Sequence, residues 1–329
     1  MRFSLHSVHG GVKDIDEIHR RAQRIEELGY DGIFLGESHL SSIDSFQTLA
    51  SCALLTRRVL LGIAVTNMVF RDPTVLAGAA ASLNEISHGR AILGLGTGDG
   101  PVYSQGRKAT PLAQFETGVK MIRDLVQGKA LEFPPGRIGI GFNLRPTPIF
   151  VSAEGPKGLR LAGRVADGVI LGTGFDLGVY RWATQRINEG AAAAGRKQSD
   201  VALIAGGMLC VRDDGDEARR IVRNRIANRA HHNFRFTLET VPPEELEAIK
   251  SFMSAFDVMK PMEDRVDPDL VNGYLVHRFS IAGTPAECIE RIEELKAAGV
   301  EHLMLTPARK VYHETVEVFA NKVIPRVRD

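Results

Sequence analysis

A chain of 329 residues with 41 Lys and Arg against 40 Asp and Glu carries a formal net charge of +1. Such a balance supplies no long-range pull toward nucleic acid or anionic membrane, and no apolar run reaches the length of a membrane span. Hydrophobic residues at 44% and charged residues at 25% are ordinary for a globular protein, and the length suits two average domains or one α/β barrel.

The N-terminal stretch MRFSLHSVHGGVKD lacks the apolar core of a signal peptide and runs straight into a strand, so a cytoplasmic protein is expected. Cys52, Cys210 and Cys288 lie far apart without metal-ligand spacing and read as reduced core thiols.

Short apolar runs bounded by glycine predict strands over Phe3–Val8, Gly32–Gly36, Val59–Thr66, Ala91–Gly96, Ile149–Ala153, Gly168–Gly172, Val201–Val211 and His302–Thr306. Helices are expected near Ile15–Leu28, Phe46–Leu55, Pro73–Ile86, Leu112–Gln127, Pro156–Ala166, Leu177–Ala194, Asp213–Arg229 and Tyr312–Val327. Two stretches share one plan: EELGYDGIFLGES and GRVADGVILGTG each run helix end, Asp-Gly, apolar strand and small polar stop. Eight strands, each followed by a helix, predict the α/β class and a single (β/α)8 TIM barrel over residues 1–329. Residues 228–283, between the seventh and eighth strands, break the repeat and read as an insertion, either a substrate lid or an interface segment. Just ahead of it Arg219, Arg220, Arg223 and Arg225 alternate with Glu217 and apolar residues, the pattern of a solvated helix face. Within it His231, His232, Phe234 and Phe236 offer aromatic or polar contacts to a substrate.

In a TIM barrel the chemistry sits at the C-terminal ends of the strands. Those ends are His6-Ser7, Glu37-Ser38-His39, Thr66-Asn67, Thr97-Gly98-Asp99, Ser152-Ala153-Glu154-Gly155, Gly172-Thr173-Gly174, Gly206-Gly207 and Thr306-Pro307. They hold no carboxylate pair suited to glycoside hydrolysis and no HExxH, so no metal is expected. Gly155 precedes Pro156 at a helix start whose free amides can hold an anion beside Lys157. Gly172 and Thr173 end the neighbouring strand, and the two ends together suggest a phosphate site. GLGTGDG is not a dinucleotide fingerprint, because its glycines fall at 94, 96, 98 and 100 and a long loop follows.

Four segments in order, TNMVFRDPTVLAGAAASL, GRAILGLGTGDG, VSAEGPKGLRLAGRVADGVILGTG and FSIAGTPAECIERIEELKAAGVEHLMLTP, resemble the bacterial luciferase-like superfamily of flavin and deazaflavin oxidoreductases. Within it the chain is most similar to reductases that use coenzyme F420, such as methylenetetrahydromethanopterin reductase. The resemblance implies a non-proline cis peptide bond, Ala64–Val65, in a bulge ending the third strand and packed against the middle ring of the cofactor. It implies cofactor contacts at Ala64, Val65, Thr66 and Asn67, and phosphate contacts at Ser152, Ala153, Glu154, Gly155 and Thr173, with Lys157 and Gly172 beside them. The GTGDG turn, with Gly98 and Asp99, and the G-R-K loop after it resemble the deazaflavin branch. Cations for an acidic F420 tail are sought at Arg107, Lys108, Lys157, Arg181 and Arg212.

Glu37, Ser38, His39 and Asn67 are the candidate catalytic residues. Many relatives end the second strand with an acid followed by histidine; here Ser38 stands in the histidine's place and His39 follows, pointing the other way along the chain. The resemblance implies an F420-dependent oxidoreductase moving a hydride between deazaflavin C5 and a small organic substrate, at a C=C, C=N, aromatic or carbonyl/alcohol centre. The alternatives are an FMN-dependent monooxygenase fed reduced flavin by a separate reductase, and a non-catalytic flavin-binding barrel. A homodimer is expected from the family.

Overall fold

The glycine-bounded apolar runs are buried on both faces: GIFL at 32–35, AILGLG at 91–96 and GVIL at 168–171 are buried at every position. In the computed structural model, which describes residues 1–142, 145–260 and 264–328, these runs are strands of one parallel sheet. The strands are β1 (Arg2–His6), β2 (Gly32–Leu35), β3 (Leu60–Asn67), β4 (Ala91–Gly96), β5 (Leu131–Phe133), β6 (Gly136–Ile138), β7 (Ile149–Ala153), β8 (Gly168–Leu171), β9 (Ala202–Val211), β10 (Ser280–Gly283) and β11 (His302–Pro307). The order β11-β1-β2-β3-β4-β7-β8-β9 closes through parallel β8–β9 and β9–β11 pairing. This is the expected eight-stranded (β/α)8 barrel, and β5 with β6 forms a separate antiparallel hairpin.

Aspartates set the starts of several outer helices. Asp14, Asp44, Asp72, Asp176 and Asp214 each accept a backbone N–H of the first turn, and Thr284 with Glu287 forms a reciprocal cap. The helices seal the outside of the barrel, while Phe34, Ile92, Phe150, Ile170, Ile204 and Met304 fill its interior. Gly62 and Gly168 admit the rings of Phe34 and Phe150, which a Cβ at either position would strike. Burial pushes the three free thiols up, Cys52 and Cys288 to about 12 and Cys210 to about 11, as suits inert core residues. Among the described residues no helix is long and apolar enough to cross a membrane.

The break in the repeat is built differently from the rest. One helix, Gly215–Thr237, runs unbroken past residue 228, followed by shorter helices Leu246–Ala255 and Gly273–Phe279; residues 261–263 of this segment lie outside the described residues. These pieces share their own core of Val222, Ile226, Phe234, Ile249, Phe252, Leu275 and Phe279. The segment ends in β10, a strand absent from the sequence reading. It pairs with Met208–Val211 of β9 on the edge that β8 occupies lower down, so it extends the barrel wall past the end of β8. Arg278, fully buried, locks the join: it donates to Thr173 O at 3.3 Å, Asn233 Oδ1 at 2.9 Å, Thr237 Oγ1 at 3.1 Å and Tyr274 Oη at 2.8 Å.

Candidate active site

At the C-terminal end of β3 the register against β4 slips between Ile63 and Thr66, and the Ala64–Val65 peptide is cis, where the resemblance implied it. The glycines of β4 make room for this bulge. A Cβ on Gly94 would strike the Ile63 carbonyl, and one on Gly96 would lie 3.0 Å from Val65 Cγ2. Two glycines of GLGTGDG therefore serve a backbone ridge.

His6 holds the ridge from beneath. Its Nε2 lies 2.8 Å from Ala64 O, and a carbonyl can only accept, so Nε2 carries the proton. Nδ1 then accepts from Ser7 Oγ at 2.9 Å and Thr306 Oγ1 at 3.1 Å. Burial lowers the imidazole to about 4, only partly opposed by the bond to Ala64, so the ring is neutral near pH 7. On the other side Glu37 N–H donates to Val65 O at 3.2 Å.

The ridge faces a cavity of about 350 Å³ at the barrel mouth. Ala64 and Val65 form one wall, His6, Ser7 and Thr306 a second, and Ser152, Gly172 and Asp99 a third. The cover comes from the Gly215–Thr237 helix, which presents Arg225, Asn228, Arg229 and His232 on one face, at spacings of three and four residues. Arg229 lies across the bare backbone of Gly172, where a Cβ would collide with its guanidinium, and donates to Gly172 O at 3.0 Å. It also pairs at 2.5 Å with Glu154, whose other oxygen accepts from Asn233 at 2.9 Å. His232 Nδ1 lies 3.2 Å from Asp99. Burial alone would raise the Asp99 carboxyl, but the bond to His232 and nearby arginine charges hold it below the usual range.

Of the residues expected to bind cofactor, Ala64, Val65, Asp99, Ser152 and Gly172 line this cavity. Thr66, Asn67, Gly98, Ala153, Glu154, Gly155, Lys157 and Thr173 do not. Thr66 is buried behind the ridge and donates to Glu37. Asn67 Oδ1 accepts from Val69 N at 3.0 Å and Phe70 N at 3.3 Å, which shapes the loop after β3. Gly98 turns that of β4 at φ 113°. Gly155 starts the Pro156–Val165 helix beneath Phe236, whose Cβ lies 3.1 Å from where a Gly155 Cβ would stand. Lys157 is on the outer surface, in a shallow depression with Arg160 and Arg164, away from the cavity. Thr173 Oγ1 is buried beside Gly172 with no hydrogen-bond partner among the described residues.

The candidate catalytic residues also fall outside the cavity lining. Glu37 is enclosed by Thr66 and by Arg71, whose Nε donates to it at 2.6 Å, and Arg71 also pairs with Asp44. The Ser38 carbonyl accepts from Ser41 N at 2.7 Å and Ser42 N at 3.0 Å. His39 packs edge-on to Phe70 at 4.5 Å and contacts Gln105 at 3.0 Å. Among the cations sought for a tail, Arg107 sits over the Phe70 ring at 5.2 Å near the mouth, Lys108 and Arg181 are exposed, and Arg212 is held by Glu217 and Glu314. Among the described residues no group of three metal-binding side chains occurs.

Sequence reasoning passed over His6, although it stands at the end of the first strand, and read Arg225 as part of a solvated face. The available signal was spacing: Arg225, Arg229 and His232 recur on one helical face, but spacing alone does not say what that face meets.

A neutral histidine under a backbone ridge, small residues on two adjoining strand ends and a cationic cover suit a flat ligand with an anionic appendage. The luciferase-like monooxygenase family model matches residues 1–302. The chain is 29% identical over 323 residues to 5,10-methylenetetrahydromethanopterin reductase of Archaeoglobus fulgidus, covering 92% of this chain and 93% of that one. It is 26% identical over 344 residues to an F420-dependent glucose-6-phosphate dehydrogenase of Amycolatopsis mediterranei, covering 97% and 95%. In structure it superposes on the coenzyme F420-dependent tetrahydromethanopterin reductase of Methanopyrus kandleri with a TM-score of 0.80 over 99% of both chains, at 22% identity. With a barrel that closes in the same way and a family match over nearly its full length, the chain is an enzyme of the luciferase-like monooxygenase family.

Proposed function

We propose that this enzyme is an F420-dependent oxidoreductase acting on a small organic molecule. The observation that carries the reading is the Ala64–Val65 ridge with neutral His6 bonded to its carbonyl, facing a cavity that ends at Ser152 and Gly172. Curated relatives named as F420-dependent dehydrogenases and methylenetetrahydromethanopterin reductases support it. The ridge would carry the tricycle, and Ser152, Gly172 and the unpartnered Thr173 hydroxyl would hold the phosphate. When bound, the reduced deazaflavin supplies a hydride at C5.

The chain's own residues supply position and protons. His6 stays neutral and keeps the ridge carbonyl engaged, so the support under the ring does not depend on pH near neutrality. The His232–Asp99 pair at the mouth can hold a proton at His232 and pass it to a substrate. Arg229 sits over Gly172 where an anionic group would approach, so it shifts or becomes a ligand to that group. Glu37, bound on both oxygens, acts by positioning the ridge through its main chain and Thr66. The reacting centre in the substrate is a C=C, C=N, aromatic or carbonyl/alcohol carbon. The 228–283 segment serves as the cover of the substrate cavity. Exposed Leu54, Leu55, Val75 and Ile86, on two adjacent outer helices, form the face for a homodimer.

Fluorescence titration with F420 and with FMN, alongside an oxygen electrode, tests the reading. F420 is expected to bind more tightly, without oxygen uptake by the reduced complex. Preference for FMN with oxygen consumption would replace the reading with a monooxygenase.

A further inference from the structure

We infer that a second, smaller pocket beside the ring cavity recognises an anionic group of the substrate, a carboxylate or a phosphate. The inference rests on the F420 reading for what fills the larger cavity and for where that cofactor's phosphate lies. The pocket, of about 170 Å³, lies between the loop after β1 and the loop after β11, and Ser7, Met208, Arg225 and Thr306 belong to both cavities. A molecule with its reacting carbon near the ridge therefore reaches it without leaving the barrel mouth. The volume is too small for a tricycle and suits an oxyanion with a few attached carbons.

The charge of this pocket is one-sided. Arg21, Arg225 and Arg309 line it, and no acidic residue among the described residues does. Arg21 is partly offset by Glu17 at 2.9 Å, outside the lining, and stacks over the Tyr312 ring at 4.1 Å. Arg309 makes no ion pair among the described residues. Burial and the charge of Arg309 both lower Arg225, and both guanidinium groups border the same pocket. Tyr312 is 7% exposed, lines the pocket, and its phenol oxygen has no hydrogen-bond partner among the described residues. The loop is shaped to admit Arg309: a Cβ on Gly10 would lie 3.2 Å from its Nη2, and Gly11 adopts φ 80°, which disfavours any side chain.

Position separates this pocket from the cofactor's own anionic end. The phosphate contacts lie at the ends of β7 and β8, and the pocket lies at those of β1 and β11, with β9 between them on one side of the ring. The cofactor's tail leaves from the first place, which assigns the second to the substrate.

Inorganic phosphate is the probe, titrated calorimetrically at low ionic strength into the full-length protein and into Arg309→Gln and Arg309→Lys. Arg309 is exposed, so matched melting curves are expected and verify the fold. Saturable binding to the wild type, weakened about tenfold or more in Arg309→Gln and largely kept in Arg309→Lys, supports the inference. Absence of saturable binding, or equal affinity in wild type and Arg309→Gln, overturns it. A second arm compares F420 with its tail-less deazaflavin riboside. The inference expects Arg309→Gln to leave both affinities within about twofold, since the phosphate contacts lie elsewhere. Selective weakening of F420 would give the pocket to the cofactor's tail and overturn the substrate assignment. Failure of the wild type to bind F420 at all defeats the proposed function, while the phosphate arm remains readable.

Discussion

The two sides of the barrel mouth are stabilised by opposite means. Around the ridge the contacts are neutral and short in reach: His6 to Ala64, glycines of β4 beneath Val65, the Glu37 amide to Val65. Across the mouth, at β7, β8 and the Gly215–Thr237 helix, charges dominate: Arg229 with Glu154 and His232 with Asp99. A neutral scaffold fixes shape and is indifferent to salt, whereas a charged cover can exchange one anion for another. The first suits a platform for a rigid ring, the second a doorway for phosphate and substrate.

The largest effect should come from breaking the platform. Gly94→Val places a Cβ against the Ile63 carbonyl and 3.0 Å from Ile170 Cδ1. It should cost about 1–3 kcal/mol in stability and abolish F420 binding; chemical denaturation and fluorescence titration measure the two. Retained affinity would mean that the bulge is not the support.

Acid should act next. His6 and His302, lowered by burial to about 4 and about 3, are neutral in the folded chain and take protons near 6.5 when unfolded. Their contribution to stability is complete above about pH 6.5 and is lost as pH falls toward those lower values, because the unfolded chain then binds more protons. Urea midpoints measured from pH 7 to pH 4 should fall, and His6→Asn should flatten the slope.

On the charged side Arg229→Ala leaves Glu154 buried with Asn233 at 2.9 Å and His232 at 3.8 Å. Because Arg229 is itself 37% exposed, the loss should be on the order of 1–2 kcal/mol, less than for a fully enclosed pair, and should shrink in high salt. The smallest effect on turnover is expected for Glu37→Gln, below about tenfold in kcat; a proton donor would cost about 10²–10⁴-fold. A loss of that larger size would return Glu37 to the chemistry.

The same contrast explains what the sequence disclosed. Strands such as β2, β4 and β8 were legible because burial on both faces leaves a continuous apolar run bounded by glycine. β10 was not, since SIAG becomes a strand only because β9, ten residues long, overhangs the four of β8. The ridge was reached through family resemblance, not composition; Gly94 and Gly96 look like any turn glycines until Val65 is seen between them. The charged cover was hidden because Arg225 and Arg229, alternating with ordinary helix residues, carry no mark of whether their face meets water or a cavity. Glu37 stood out by position, yet its partners Arg71 and Thr66 come from another strand and its loop.

If the Ala64–Val65 ridge is the seat of a deazaflavin ring, a crystal structure of the F420 complex will show the ring upon it. The middle ring is expected within about 4 Å of Ala64 and Val65, with the phosphate at Ser152, Gly172 and Thr173. A ring bound elsewhere, or a ridge left uncovered by bound cofactor, would contradict it.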